Sequence, residues 1–404
     1  AVYIHVPFCT GTCFFCPYTR YPLGKRKLLD KYVQALKSEI KTYGNLLSDL
    51  NLRIIDIHVG GGTPSLLEGR HFRGILEALG ESFNVNSGLA IEANPEDLAD
   101  EKVAADLING GVQEVSLGIQ SFNQKTLKNL GRRHDEKDSI KSIENLRCAG
   151  VKNINLDMMY LVPNQTLEEW ILDLKTATEQ DVEEITCYPT LIADHSLAYT
   201  LMKEGKIKLG QPSKSYFKQM THTAKEVLSH EGFKPVEIYG YSRNSDWKYA
   251  TVNLEMEGPL LGFGCGASGF TGGYEYQNTC FPEEYIRKAS INDLTMAGAR
   301  WVNKQERAIR YTVCELFVCR KLNLSNFRKK FGSFEKLVEE SGFGKGLKFM
   351  RLMGLIKKRG GTLELSHRGF FQAHMMCWAF VLNVPCRIVE EFMKTAWPEE
   401  VQVP

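Results

Sequence analysis

Nowhere does this chain run through eighteen consecutive apolar residues, so no membrane-spanning helix is expected. No apolar leader opens it. Neither sign of charge dominates. The 50 Lys and Arg stand against 48 Asp and Glu, a net charge of +2, and this balance gives no electrostatic reason for nucleic acid or an anionic membrane as a partner. The eleven cysteines lack the regular spacing of a disulfide framework, which argues against a stapled secreted domain and for a reducing, cytoplasmic setting. What the chain has in quantity is hydrophobic content, 43% of 404 residues, enough core for two or three domains.

Three cysteines fall within eight residues, as Cys9-Thr10-Gly11-Thr12-Cys13-Phe14-Phe15-Cys16. The preceding Val2-Tyr3-Ile4-His5-Val6 is β-prone, and Pro7 ends it. The thiols are therefore expected on a loop just past a strand end. Three thiolates on a tight loop can ligate three irons of a [4Fe–4S] cluster and leave the fourth iron open to a small molecule. Zinc normally takes its ligands from two separated pairs, and no second Cys or His pair follows at that spacing. A disulfide would leave one cysteine over. The other eight, Cys148, Cys187, Cys265, Cys280, Cys314, Cys319, Cys377 and Cys386, are scattered and read as small apolar residues. The first motif begins at the second residue, which leaves room for a further segment upstream.

Strands are expected near 2–6, 53–59, 88–93, 114–119, 153–160 and 184–191. Helices are expected near 29–47, 67–79, 98–109, 136–149, 166–180 and 213–231, the first from Leu28, Tyr32, Leu36 and Ile40 at i+4 spacing. Six such units imply a parallel sheet with helices outside, and chemistry at the carboxyl ends of the strands. Unusual residues collect at those ends. They are Gly60-Gly61-Gly62-Thr63-Pro64, Glu92-Ala93-Asn94-Pro95, Gly118 to Phe122 followed by Leu130-Gly131-Arg132-Arg133, and Asn155 with Asp157. Thr166 is placed to cap the helix after the fifth strand. A further strand is expected over 235–241. It is followed by Leu260 to Gly269, whose glycines permit close backbone contact with a ligand. From about 283 the pattern turns helical. A helix ending at Gly354 and a β-hairpin through Thr362 to Ser366 suggest a winged-helix-like module. Its basic residues form no recognition stripe beyond Lys357-Lys358-Arg359. His374-Met375-Met376-Cys377-Trp378 reads as the packing face of a helix.

The cysteine spacing directly after Tyr3-Ile4-His5-Val6-Pro7-Phe8 resembles the radical S-adenosylmethionine (SAM) superfamily, and the longer string resembles its coproporphyrinogen-oxidase-like branch. The resemblance covers roughly residues 1–380. It implies an α/β fold: a partial (βα)6 TIM-type barrel over residues 1–282, with a helical, winged-helix-like, substrate-shaping domain over 283–404. It implies a [4Fe–4S] cluster on Cys9, Cys13 and Cys16. It also implies a first SAM held by Tyr3, Phe15, Gly61, Gly62, Thr63, Glu92, Gln120, Arg132 and Asp157, and a second beside Gly266, Ala267 and Ser268. Carboxylates suit the cationic and hydroxyl groups of SAM, and Arg suits its carboxylate. A flavodoxin- or ferredoxin-type reductant and a monomeric state are further expectations.

Two departures bear on the reaction. The branch's oxidase has a fourth cysteine just after the triad, where Pro17 and Tyr18 stand here. Its heme chaperone has an H-N-x-x-Y-W motif, where this chain reads Tyr241-Ser242-Arg243-Asn244-Ser245-Asp246-Trp247. What remains resembles the class C methyltransferases, which add a SAM-derived carbon to an sp2 centre of an aromatic, quinone or tetrapyrrole substrate. His195, Tyr188 and His374 are the candidate bases for such a reaction. A porphyrin-modifying or heme-degrading enzyme and a heme-trafficking protein are the alternatives.

Overall fold

The computed structural model describes residues 1–16, 18–190, 192, 196–206, 213–244, 259–271 and 273–374. Six strand–helix units come first. They are β1 (Val2–Val6) with α1 (Lys27–Leu46), β2 (Ile57–Gly61) with α2 (Gly69–Ser82), and β3 (Leu89–Ala93) with α3 (Glu101–Asn109). Next are β4 (Val112–Gln120) with α4 (Glu136–Ala149), β5 (Asn153–Tyr160) with α5 (Leu167–Thr178), and β6 (Glu184–Pro189) with α6 (Lys214–His230). Each strand pairs in parallel with the next. This is the α/β architecture expected from the sequence.

Period-2 alternation explains the two faces of the sheet. Val2, Ile4, Val6, Ile57, Val59, Leu89, Ile91, Val115, Leu117, Ile154, Leu156 and Ile185 are buried in one continuous apolar core. The residues between them, including Tyr3, His58, Glu92, Ser116, Asn155, Asp157 and Thr186, touch one another across the strands. They therefore share the concave face. Local chemistry sets the helix ends. Thr166 Oγ1 accepts from Glu169 N at 3.1 Å, and the Glu169 carboxylate accepts from Thr166 N at 2.8 Å, which starts α5 as expected. Gly150 closes α4 at φ 88°.

Three expected elements are interrupted. The strand over 53–59 is split into Arg53–Ile54 and β2. The helix over 98–109 is split where Asp100 caps α3, its carboxylate accepting from Lys102 N at 2.9 Å. Residues 235–241 turn back instead of running straight. Val236 N donates to Gly240 O at 3.0 Å, joining β7 (Lys234–Pro235) to β8 (Gly240–Ser242). β8 pairs antiparallel with β6, and β9 (Leu261–Phe263) returns to lie parallel beside β1. The nine-stranded order is β7-β8-β6-β5-β4-β3-β2-β1-β9.

A small antiparallel sheet of β10 (Ser268–Phe270), β11 (Tyr274–Asn278) and β12 (Met296–Trp301) follows, with α7 (Pro282–Ser290) between its last two strands. Tyr285 and Ala289 of α7 belong to the barrel core. The expected border at 283 thus falls inside that packing. A second core begins at Ala308 and runs to Ala373, taking in Ile238 and Tyr239. It holds α8 (Lys304–Val313), β13 (Lys321–Asn323), α9 (Leu324–Phe331) and α10 (Gly342–Leu352), then the hairpin β14 (Ile356–Arg359) and β15 (Thr362–Leu365). The strand order β13-β15-β14 gives the winged-helix-like arrangement expected here. Among the described residues no helix is long and apolar enough to cross a membrane.

Candidate active site

The cysteine loop leaves β1 at the carboxyl edge of the sheet and is pinned from several sides. Phe14 N donates to Leu130 O at 3.1 Å, and Ala198 N donates to Phe14 O at 2.9 Å. Arg20 Nη1 donates to Cys16 O at 2.9 Å, and Arg133 binds Thr10 through its backbone oxygen and its hydroxyl. Cys9, Cys13 and Cys16 are free, half-buried thiols. Burial pushes the Cys9 thiol up, and the Thr63 hydroxyl opposes the shift. Burial takes Cys16 up to about 11. Among the described residues no three His, Cys, Asp or Glu side chains converge on a position for a single metal ion. One zinc would draw its thiolates to about 3.8 Å from one another, given Zn–S bonds of about 2.3 Å. Three free thiols on one short loop suit three corners of a cluster.

Next to this loop stands the Gly60–Gly62 turn at the end of β2. Gly61 has φ 115°, and a Cβ there would meet the His5 ring at 2.7 Å, so only glycine fits. Gly61 N donates to Glu92 Oε2 at 3.1 Å, and His58 Nε2 lies 3.2 Å from Glu92 Oε1. The Tyr3 ring stacks on His58 at 5.7 Å, and its hydroxyl lies 2.9 Å from His5 Nδ1. Further round, Asp157 accepts from Ser116 Oγ at 2.8 Å and from Asn155 Nδ2 at 3.0 Å. Burial, with the Glu92 charge also acting in that direction, raises the Asp157 carboxyl to about 7. Gln120 sits in a break in the β4–β5 register at φ 67°, which turns its side chain back over Gly118.

Residues 3–177 match the radical SAM superfamily. The heme chaperone HemW of Bacillus subtilis is 27% identical over 385 residues, which span 94% of this chain and 99% of that protein. HemW of Lactococcus lactis is 28% identical over 291 residues, 72% of this chain and 74% of its own. The oxygen-independent coproporphyrinogen III oxidase of Salmonella typhimurium is 25% identical over 359 residues, 83% and 74% of the two chains. The solved structure of Escherichia coli coproporphyrinogen III oxidase (HemN), a radical SAM enzyme, superposes with a TM-score of 0.78 at 22% identity, covering 94% of this chain and 89% of that one. Its fold is the fold described above. The matched superfamily implies a [4Fe–4S] cluster and SAM, and the donor set of three free thiols on one short loop beside a polar strand-end concavity fits both.

The concave face and strand ends hold most of the residues singled out in the sequence. Gly61, Gly62, Thr63, Gln120 and Arg132 lie at or just past strand ends beside the Cys9–Cys16 loop, and Tyr3, Glu92 and Asp157 lie within β1, β3 and β5 on the concave face. Phe15 packs at its margin with Leu130, Met159 and Val162. Tyr188 ends β6 on the concave face and is 40% exposed.

The glycine segment expected to meet a second SAM makes backbone bonds within the chain. Gly262 N donates to the Tyr276 hydroxyl, Gly264 N to Glu39, Cys265 N to the Tyr32 hydroxyl, Gly266 N to Thr279 O and Ala267 N to Gly264 O. The Ser268 hydroxyl is taken by Gln277. Those glycines permit close approach of the chain to itself. His374 is buried against Tyr239, Phe370 and Phe217, and burial lowers it to about 3. It is part of the packing that joins α6 to the second core, so it is not grouped with the strand-end residues. His195 and residues 375–378 lie outside the described residues.

Sequence reasoning named His5 and Asn94 within longer runs but gave neither a role, and it passed over His58 beneath the glycine turn and Glu96, whose Oε2 lies 3.3 Å from His134 Nδ1. It also passed over Glu237, a carboxyl raised to about 7 by burial against backbone donors from Ile238, Tyr239 and Gly240. Glu96 and His134 had a signal: each adjoins a motif residue, Pro95 or Arg133.

Proposed function

We propose that this chain is a radical SAM protein that handles a tetrapyrrole, as substrate or as cargo, using one cluster on Cys9, Cys13 and Cys16 and one SAM at the strand ends. The observation that carries the tetrapyrrole reading is the end-to-end likeness to a heme chaperone, supported by the fold of a coproporphyrinogen oxidase. Methyl transfer to another class of acceptor finds less support. It rests on a second SAM beside Gly266 to Ser268, where the backbone donors of Gly266 and Ala267 are already engaged.

When bound, the cluster and SAM supply an electron and a source of a carbon-centred radical. The chain's own residues do the rest. Cys9, Cys13 and Cys16 ligate three irons. Glu92 fixes the Gly61 turn and offers its carboxylate towards the SAM ammonium or ribose. Asp157, poised near neutrality, accepts a hydroxyl hydrogen bond once ionised, and Arg132 pairs with a carboxylate. The exposed rings of Tyr18 and Tyr188 offer apolar faces for a macrocycle. Glu237 is placed to hold or give a proton beside Tyr188.

The test uses the full chain reconstituted anaerobically, with a Cys9→Ala/Cys13→Ala/Cys16→Ala variant beside it. The wild type is expected to take up one [4Fe–4S] cluster that the variant lacks. It is then titrated with heme and with coproporphyrinogen while 5′-deoxyadenosine is followed. A saturable Soret shift without SAM turnover marks a carrier. 5′-Deoxyadenosine release coupled to loss of the porphyrinogen marks an enzyme. Failure to bind either tetrapyrrole refutes the reading.

A further inference from the structure

A continuous line of hydrogen bonds joins two of the three loop thiols, and it passes through one amide. Thr63 Oγ1 donates to Cys9 Sγ at 3.5 Å. Asn94 Nδ2 donates to Thr63 Oγ1 at 3.3 Å. Arg132 Nη2 donates to Asn94 Oδ1 at 2.9 Å, and Arg132 Nη1 donates to Cys13 Sγ at 3.5 Å. Every direction in this line is forced. A guanidinium has donors only, so the carbonyl side of the Asn94 amide must face it. The amide nitrogen then faces Thr63, whose oxygen accepts. The single hydroxyl hydrogen is left for Cys9.

The frame around the amide is rigid. Asn94 N donates to Ser65 Oγ at 3.3 Å, and Ser65 Oγ donates to Asp97 Oδ2 at 2.6 Å. Arg132 Nη2 also donates to Gly118 O at 2.8 Å, and its side chain is only 7% exposed. Thr63 is buried.

We propose that Asn94 is a positioning residue for the cluster, one side chain that sets the hydrogen bonding at both Cys9 and Cys13. This rests on the reading of Cys9, Cys13 and Cys16 as cluster ligands. Donors aimed at cluster sulfurs stabilise the more negative, reduced state and so raise the reduction potential, and partners beyond the ligands also hold them in place. Cys16, on the far side of the loop, has no part in this line. The three thiolates would therefore differ in basicity.

The test reads the cluster itself, in the reconstituted full chain, by redox titration followed by EPR and by iron loss to a chelator. Asn94→Ala is expected to move the midpoint potential to a more negative value and to speed iron loss about tenfold, the scale of outer-shell changes at metal sites. Thr63→Val, which removes the Cys9 donor and keeps the shape, should reproduce part of the shift, and Thr63→Ser should restore it. The double variant Asn94→Ala/Thr63→Val should add little to Asn94→Ala alone. Wild-type potential and retention in Asn94→Ala overturn the inference. If that variant does not fold, an unchanged potential in Thr63→Val overturns it instead. A wild-type chain that takes up no cluster overturns the ligand reading and this inference together, and the wild-type sample alone distinguishes that failure.

Discussion

Replacing Glu39 with Gln should destabilise the protein by about 2 kcal/mol, although the change is nearly isosteric. Glu39 lies in α1 and is 1% exposed. Its Oε2 accepts from Gly264 N at 2.8 Å and from the Tyr285 hydroxyl at 2.6 Å. Its Oε1 accepts from Asn278 Nδ2 at 2.7 Å and from the Thr295 hydroxyl. The hydroxyls can turn round, but the Gly264 N–H cannot. A Gln amide must therefore place its nitrogen at the Oε1 position, opposite Asn278. Asn278 would have to reverse, and it would lose the 3.0 Å bond it donates to Gly264 O. One hydrogen bond is lost and a buried carbonyl, Gly264 O, loses its Asn278 donor, which together give the stated magnitude. Burial raises the Glu39 pKa above 4.5. The stability this group contributes is therefore complete below about 4.5 and is lost as pH rises through the folded value. Gln does not titrate, so the gap between the two proteins should narrow with rising pH. Urea unfolding followed by tyrosine and tryptophan fluorescence measures it. A Glu39→Gln midpoint equal to the wild type across that range would refute the reasoning.

Asp157→Asn is expected to act in opposite directions on stability and binding. The folded carboxyl is raised to about 7, so its contribution is present below about 3.8 and lost on rising through 7, and the variant should gain relative stability over that window. SAM affinity, measured by calorimetry on reconstituted protein, should fall by about 1–3 kcal/mol, and unchanged affinity removes Asp157 from the site. His374→Phe tests whether that histidine is packing or chemistry. Its folded value is lowered to about 3, so wild-type stability should drop as pH falls from 6.5 towards 3 while the variant stays level. Loss of activity with an unaltered melt would return His374 to the list of candidate bases.

The sequence shows its strands and helices wherever one period dominates. β1 and α4 lie where they were expected, because alternation, caps and a terminal glycine agree there. The cysteine triad was legible because its chemistry depends on spacing alone. The role of Asn94 was not, because it comes from Thr63 and Arg132, 31 and 38 residues away in the chain. Glu39 offered a partial signal, since a charge three residues after Leu36 sits on the apolar face of α1. Its partners arrive between 225 and 256 residues later, and no local pattern encodes them. The second glycine segment is ambiguous for a physical reason. Glycine marks close approach, but it does not say whether a ligand or the chain itself approaches. At Gly264 it is the chain, for a Cβ would meet His5 O at 2.4 Å.

The place of β9 beside β1 bears on how the protein is made. Once β2 has paired, β1 still shows a bare edge on its other side. The strand that covers it follows about 200 residues later in the chain. At about 5–20 residues per second, a ribosome needs roughly 10–40 s to deliver it. Throughout that interval the nascent chain carries an open strand edge immediately followed by three free thiols. Closure by β9 also brings in the Gly264 turn that Tyr32 and Glu39 lock against β1. Metal loading that preceded this closure would meet a strand not yet fixed on both sides, so the order of events favours completion of translation before the cluster is inserted.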